Sequence, residues 1–329
     1  MVAVTGANGL LGSFIVRELI KKSVPFVAFK RKNSDTSLLD DVNDHITWRD
    51  ADVLDTVELE KAFDGVTRVI HTAAVVSYNS RLATQVMDIN TSGTRFVINE
   101  ALARGVTRFI HVSSVAALGR QKNQKVIDET NQWIDSPTHT VYAKSKYLAE
   151  LEVFRAYEEG LNVAIVNPSV ILAPADWNRS SARIFRYVWD EKKFYSDAVL
   201  NYVDARDVAE ITVRLLDNTT VSGERFVLNA GKISLSDLFG KIATRFGKRP
   251  PRIKLSKLTL KTLARVEAIR SRLTGADPLI TPETARLAGA DFIYDNTKIK
   301  NSLSFDFQPI DATLDWCCRY YEEKKRVKN

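Results

Sequence analysis

Cysteine is nearly absent from this 329-residue chain: Cys317 and Cys318 are the only two, and sequence neighbours rarely reach disulfide geometry, so no disulfide framework is expected. A reducing cytoplasm is the default compartment. Long hydrophobic runs are missing as well. No window approaches the ~18 apolar residues of a membrane span. Met1-Val2-Ala3-Val4 leads straight into a glycine turn, so neither signal peptide nor anchor is expected. The four histidines (His45, His71, His111, His139) lack ligand spacing, so no metal site and no Ser-His-Asp arrangement is read. His71 and His111, near strand ends, read as core histidines with backbone partners. A general excess of cations is lacking too. The net charge is +7, but Arg245 to Arg272 holds ten basic residues against the single acid Glu267, leaving the rest at −2. So local a basic character argues against a nucleic-acid partner.

What is present is ordinary for a globular chain: 45% hydrophobic and 26% charged residues exclude disordered and fibrous classes. Short β-rich apolar runs alternate with helical patterns through the first two thirds. Strands are expected at Val2 to Val4, Phe26 to Phe29, Ile46 to Trp48, Arg68 to His71, Phe109 to Val112 and Val163 to Val166. Between them, Leu11 to Lys22, Val57 to Phe63, Thr94 to Arg104 and Tyr142 to Glu159 read as helices. Such alternation predicts an α/β fold, a Rossmann-type doubly wound parallel sheet, with a smaller, mainly C-terminal substrate domain. Asn201 to Leu216 and Arg225 to Asn229 read as one more helix and strand of the main sheet. Ser234 to Asp237 resembles a capping box opening a helix to about Phe246, and Ser256 to Thr274 is a further helical stretch. The expected division is residues 1–171 plus 201–231 for dinucleotide binding, and 172–200 plus 232–329 for substrate.

Only 14 glycines occur, yet Gly6, Gly9 and Gly12 fall within seven residues, between the first strand and the first helix. Glycines let the backbone turn sharply and approach a pyrophosphate, whose charge then sits at the positive helix N-terminus. Gly6, Asn8, Gly9, Leu10, Leu11 and Gly12 therefore form a candidate cofactor cradle. An NAD site usually carries Asp or Glu after the second strand, to accept from the ribose 2′-hydroxyl. Here Lys30-Arg31-Lys32 stands in that place. Cations there attract a 2′-phosphate, so NADP(H) is favoured over NAD(H), with Lys30 and Arg31 as its contacts.

Tyr142 and Lys146 stand at i and i+4 near the start of a helix and share one face. A phenol of pKa ~10 exchanges protons poorly at neutral pH unless its phenolate is stabilised, which a nearby ammonium does. Upstream, Ser114 follows a strand at the carboxyl edge, where doubly wound sheets bind ligands. Together Ser114, Tyr142 and Lys146 suit binding a carbonyl and supplying its proton during hydride transfer.

These motifs resemble the extended short-chain dehydrogenase/reductase family, with its NAD-dependent epimerase/dehydratase group. The resemblance runs through Thr5 to Gly12, Asp52 to Asp55, His71 to Ala74, Asn90 to Thr94, Ser113-Ser114, Tyr142 to Lys146 with Ser145 and Glu150, Asn167-Pro168 and Tyr202 to Ala209. It implies that Ser114 is the functional hydroxyl, that Tyr142 exchanges the proton, and that Lys146 holds the nicotinamide ribose. It also implies adenine contacts from Asp52 and Val53. The backbone at Ala73, Ala74, Pro168 and Val170, together with Asn90, would line the cofactor path, and pairing of the Thr94 and Tyr142 helices would give a homodimer. Val115-Ala116 stands where sugar dehydratases carry Asp-Glu, and Pro278 to Thr284 is most like the dihydroflavonol reductase and 3β-hydroxysteroid dehydrogenase branch. The expected reaction is NADPH-dependent reduction of a small-molecule ketone or aldehyde, or oxidation of the matching alcohol. An NAD-dependent nucleotide-sugar epimerase and a non-catalytic cofactor-sensing regulator are the alternatives. Substrate specificity is expected in residues 75–81, 122–139 and 173–194. Leu255, Leu258, Leu263, Val266 and Ile269 punctuate the basic stretch at helical spacing, read as a solvated helix over the cleft in preference to a peripheral membrane contact.

Overall fold

The computed structural model describes residues 1–121, 124–136, 139–177, 181–274 and 291–326. Seven parallel strands form the main sheet: β1 (Val2–Thr5), β2 (Phe26–Lys30), β3 (Trp48–Asp50), β4 (Arg68–His71), β5 (Arg108–Val112), β6 (Val163–Pro168) and β9 (Glu224–Leu228). Every residue of β1, β5 and β6 is buried, as befits parallel strands covered on both faces. The spatial order is β9-β6-β5-β4-β1-β2-β3. Order reverses between β1 and β4, and the carboxyl ends of these two strands carry the glycine turn and Ala73-Ala74.

Helices α1 (Leu10–Lys21), α2 (Thr56–Ala62), α3 (Gly93–Ala103), α4 (Val141–Glu158) and α5 (Ala205–Asp217) cover the sheet. On one face Ile15, Val16 and Leu19 of α1 join Val208 and Ile211 of α5 over Val4, Ile70 and Ile110. On the other, Val97 and Ile98 of α3 and Val153 of α4 close over Phe29, Val69 and Phe109. A small sheet of β7 (Val170–Leu172), β8 (Val199–Asp204) and β10 (Gly231–Ser234) leads into a separate core. There α6 (Leu235–Phe246) and α8 (Ile310–Arg326) meet around Leu238, Ile242, Leu314 and Tyr321. Helix α7 (Lys257–Thr274) lies beyond it.

Three expectations are corrected. The third strand is Trp48–Asp50, not Ile46 to Trp48. Residues Ser37–His45 form a 3-10 stretch closed by Ile46, which packs on the core, and pairing starts where Trp48 meets Ala28. Asn201 to Leu216 is not one helix. Its first four residues belong to β8 in the small sheet, and the helix starts at Ala205 because the Asp204 carboxylate accepts from the Arg206 N–H as N-cap. The inward face of α7 is Leu260, Ala264 and Ser271, whereas Leu258, Val266 and Ile269 point outward. The capping box at Ser234 forms as expected, with Ser234 Oγ accepting from Asp237 N and donating to Asp237 Oδ2. Pro278 to Thr284 lies outside the described residues.

Candidate active site

At the carboxyl edge of β1 the chain turns through Gly6 with φ +67°, a left-handed conformation. A Cβ on Gly6 would stand 2.7 Å from the backbone of Ala73, and one on Gly12 would stand 2.1 Å from the Gly6 carbonyl oxygen. The turn therefore admits no side chain at either place. Gly9 is the N-cap of α1 and offers no capping side chain, so the first-turn N–H groups at Leu10, Leu11 and Gly12 stay open to an anion. Beside them lies a cleft of about 730 Å³ lined by Asn8, Arg31, Lys32, Asn33, Ser34 and Asp52, among others. These features fit the diphosphate and ribose end of a dinucleotide. Val53 packs against Gly93 of α3, where a Cβ would meet its side chain at 2.7 Å.

The basic triplet divides. Lys30 Nζ is bound by Asp50 Oδ1 at 2.8 Å, its register partner on β3, and Lys30 does not line the cleft. Arg31 lines it instead, beside Lys32, which the sequence named only within the triplet.

Ser114 follows β5 and caps a short turn by accepting from Ala116 N at 3.1 Å. Tyr142 and Lys146 are both buried on the first turns of α4, whose N-cap Thr140 accepts from Ala143 N. The Ser114 side chain stands near the Tyr142 phenol. Burial raises the Tyr142 pKa above its ordinary value, and the neighbouring Ser114 hydroxyl opposes that rise. Lys146 Nζ donates to the Val112 carbonyl at 2.9 Å, and burial pushes its pKa down to about 8 while Glu150 pulls it up.

Several polar groups hold this trio. Asn167, at the end of β6 before Pro168, donates through Nδ2 to the Ser114 carbonyl at 3.0 Å and to Glu150 Oε1 at 2.5 Å. Arg225 Nη1 reaches Glu150 Oε2 at 3.3 Å, and Arg225 also donates to the carbonyls of Glu129 and Asn131. Asn90 sits in a π-turn, Asp88–Ser92, and its amide accepts from Val75 N and donates to the Val75 carbonyl and to Ser145 Oγ. Its side chain is therefore occupied with fixing the segment after Ala73-Ala74. Val170 opens β7 opposite Tyr202.

Around the trio, Tyr78 meets the Tyr142 ring edge-on at 6.1 Å, and Trp133 stacks on Tyr147 at 4.7 Å and packs on His139 at 4.0 Å. Of the expected specificity segments, residues 122–123, 137–138 and 178–180 lie outside the described residues. His71 does not use backbone partners: its nitrogens meet Thr5 Oγ1 at 2.7 Å and Thr94 Oγ1 at 3.0 Å. His111 stacks on it at 5.5 Å, and neither His111 nitrogen has a partner among the described residues.

Residues 2–231 match the model of the NAD-dependent epimerase/dehydratase family. Cinnamoyl-CoA reductase 1 of Oryza sativa is 32% identical over 266 residues, 76% of this chain and 77% of that protein. A putative dihydroflavonol 4-reductase of Synechocystis is 26% identical, covering 99% of this chain and 95% of its own length. The crystal structure of gox2253 superposes with TM-score 0.85 at 30% identity, covering 99% of both chains.

Proposed function

The chain belongs to the NAD-dependent epimerase/dehydratase family and works as an NAD(P)-dependent oxidoreductase, and from that premise we propose that it reduces a ketone or aldehyde at the expense of NADPH, with Tyr142 as proton donor. The observation that carries the reading is the convergence of Ser114, Tyr142 and Lys146 beyond β5, next to a glycine cradle that excludes side chains. Two of the relatives are named reductases.

Gly6, Gly9 and Gly12 with the α1 N-terminus would hold the diphosphate, Asp52 and Val53 the adenine, and Arg31 and Lys32 a 2′-phosphate. A reduced nicotinamide, when bound, supplies the hydride. The Ser114 hydroxyl donates to the substrate carbonyl oxygen and so fixes it beside the phenol. Tyr142 passes its proton to that oxygen as negative charge develops there. Lys146 would hold the nicotinamide ribose, and its charge offsets the phenolate left on Tyr142. The active assembly in this reading is a homodimer through α3 and α4, and Leu151 and Tyr157 on α4 offer exposed apolar surface for it.

Tyr142→Phe tests the assignment. Turnover of a carbonyl panel should fall by about 10²-fold or more, with NADPH binding by tryptophan quenching nearly unchanged. Retained turnover would overturn the role of Tyr142. The cofactor reading is tested by Arg31→Ser with Lys32→Ser, which should cost NADPH about tenfold or more in affinity and leave NADH unaffected. An unchanged ratio removes the 2′-phosphate assignment and brings the epimerase reading forward.

A further inference from the structure

Helix α7 presents two opposite faces of different character. Leu260 and Ala264 face the protein, forming with Leu255 a small cluster of their own. Outward, at the 3.6-residue period, stand Leu258, Val266, Ile269 and Leu273, which are 76%, 55%, 62% and 74% exposed. Single exposed apolar residues are ordinary; four along one stripe of an 18-residue helix are not. Ile253, four residues before the helix, and its register partner Phe194 are also exposed, at 48% and 46%.

One flank of the stripe is cationic. Lys257, Lys261, Arg265 and Arg272 fall together on the helical projection, all exposed and without a carboxylate partner among the described residues. Elsewhere in the basic stretch most charges are engaged: Arg245 with Asp311 and Asp315, Arg249 with Glu191, Lys254 with Asp197, Arg270 with Glu267, and Lys248 over the Trp189 ring, while Arg252 has no carboxylate partner among the described residues. Unpaired cations are thus concentrated beside the apolar stripe.

We propose that α7 docks this protein on an anionic lipid surface, its cations against the headgroup phosphates and Leu258, Val266, Ile269 and Leu273 in the acyl boundary. Such a helix, apolar on one side and rich in Lys and Arg beside it, has the chemistry of an interfacial segment. A nucleic acid would leave the stripe in water. A second copy laid antiparallel on the same face would bring like charges together. The helix is tied at its end to the cleft: Arg81 Nη2 donates to the Leu273 carbonyl at 3.2 Å, and the segment before Arg81 carries Tyr78, which meets Tyr142. Docking through α7 therefore sets the Tyr78 side of the cleft near the lipid.

The test is sedimentation of the full chain with vesicles of phosphatidylcholine alone or mixed with phosphatidylglycerol. Binding is expected with the mixed vesicles, falling as salt rises, and little with phosphatidylcholine. Val266→Ser with Ile269→Ser, and separately Lys261→Glu with Arg265→Glu, should each weaken binding about tenfold or more, with far-UV circular dichroism unchanged because all four positions are exposed. No sedimentation with the mixed vesicles overturns the proposal, as does binding that neither variant weakens. Concentration-dependent self-association that the serine variant abolishes, without vesicle binding, assigns the stripe to a second copy and also overturns it.

Discussion

Lys146 is a cation buried among polar groups, and its acidity sets a limit on when it can work. Because burial lowers its pKa to about 8, the ammonium is lost as pH rises through that value. Tyr142, raised above its ordinary pKa by burial, keeps its proton over the same range. Reduction should therefore decline above about pH 8, and Lys146→Arg, whose guanidinium stays charged, should flatten that alkaline limb relative to its own maximum. An identical limb in the arginine variant would assign it to another group. The stacked histidines show a contrast that no one-dimensional reading reaches. They are register partners on adjacent strands, yet His71 binds hydroxyls on β1 and α3 while His111 binds nothing among the described residues. His111→Phe should leave stability in urea unchanged or higher, since two unpartnered buried nitrogens are removed. His71→Phe should cost about 1–2 kcal/mol, because Thr5 and Thr94 each lose one of their two hydrogen-bond partners.

At the scale of elements, the β8-to-α5 junction fastens the main sheet to the C-terminal segment. Asp204, fully buried, caps α5, binds Arg206 at 2.6 Å and accepts from Thr313 Oγ1 at 2.7 Å, while Asp207 accepts from Gln308 N and Arg206 lies over Trp316. Asp204→Ala should destabilise the chain by about 3 kcal/mol through loss of the cap and the uncompensated Arg206, and Asp204→Asn should recover the cap alone; chemical denaturation separates the two. From sequence the same residues were legible as a motif but not as a latch, because their partners lie about a hundred positions away. Five of the first six strands and the first four helices were legible, since buried parallel strands are continuous apolar runs and the glycine turn is local chemistry. Trp48–Asp50 was missed because a three-residue strand has too little period to register. What the sequence could not show for Lys30 is its pairing with Asp50: residue type announced a cation, and only the register with β3 shows its partner.

For the whole molecule, buried ionisable groups shape the dependence of stability on acidity. The unfolded chain protonates its histidines below about pH 6.5, whereas burial holds folded His71 down to about 3 and His111 well below its usual value. The unfolded state binds more protons in this window, so stability falls on acidification, by up to about 1.4 kcal/mol per pH unit for each histidine. Asp207 acts oppositely: its folded pKa is pushed up to about 7, so between about 4 and 7 the folded state holds the extra proton and gains on acidification. The buried histidines and Asp207 thus pull in opposite senses below neutrality, and His111→Phe should lose less stability on acidification than wild type; urea midpoints across pH compare them. Among the described residues no helix is long and apolar enough to cross a membrane. Finally, Cys317 and Cys318 sit free and buried on α8, and burial raises both thiol pKa values, Cys318 to about 12. Neither thiolate is available to a chromogenic disulfide reagent while the last helix is in place, so the rate of colour release is a native chronometer for its undocking, needing no introduced label.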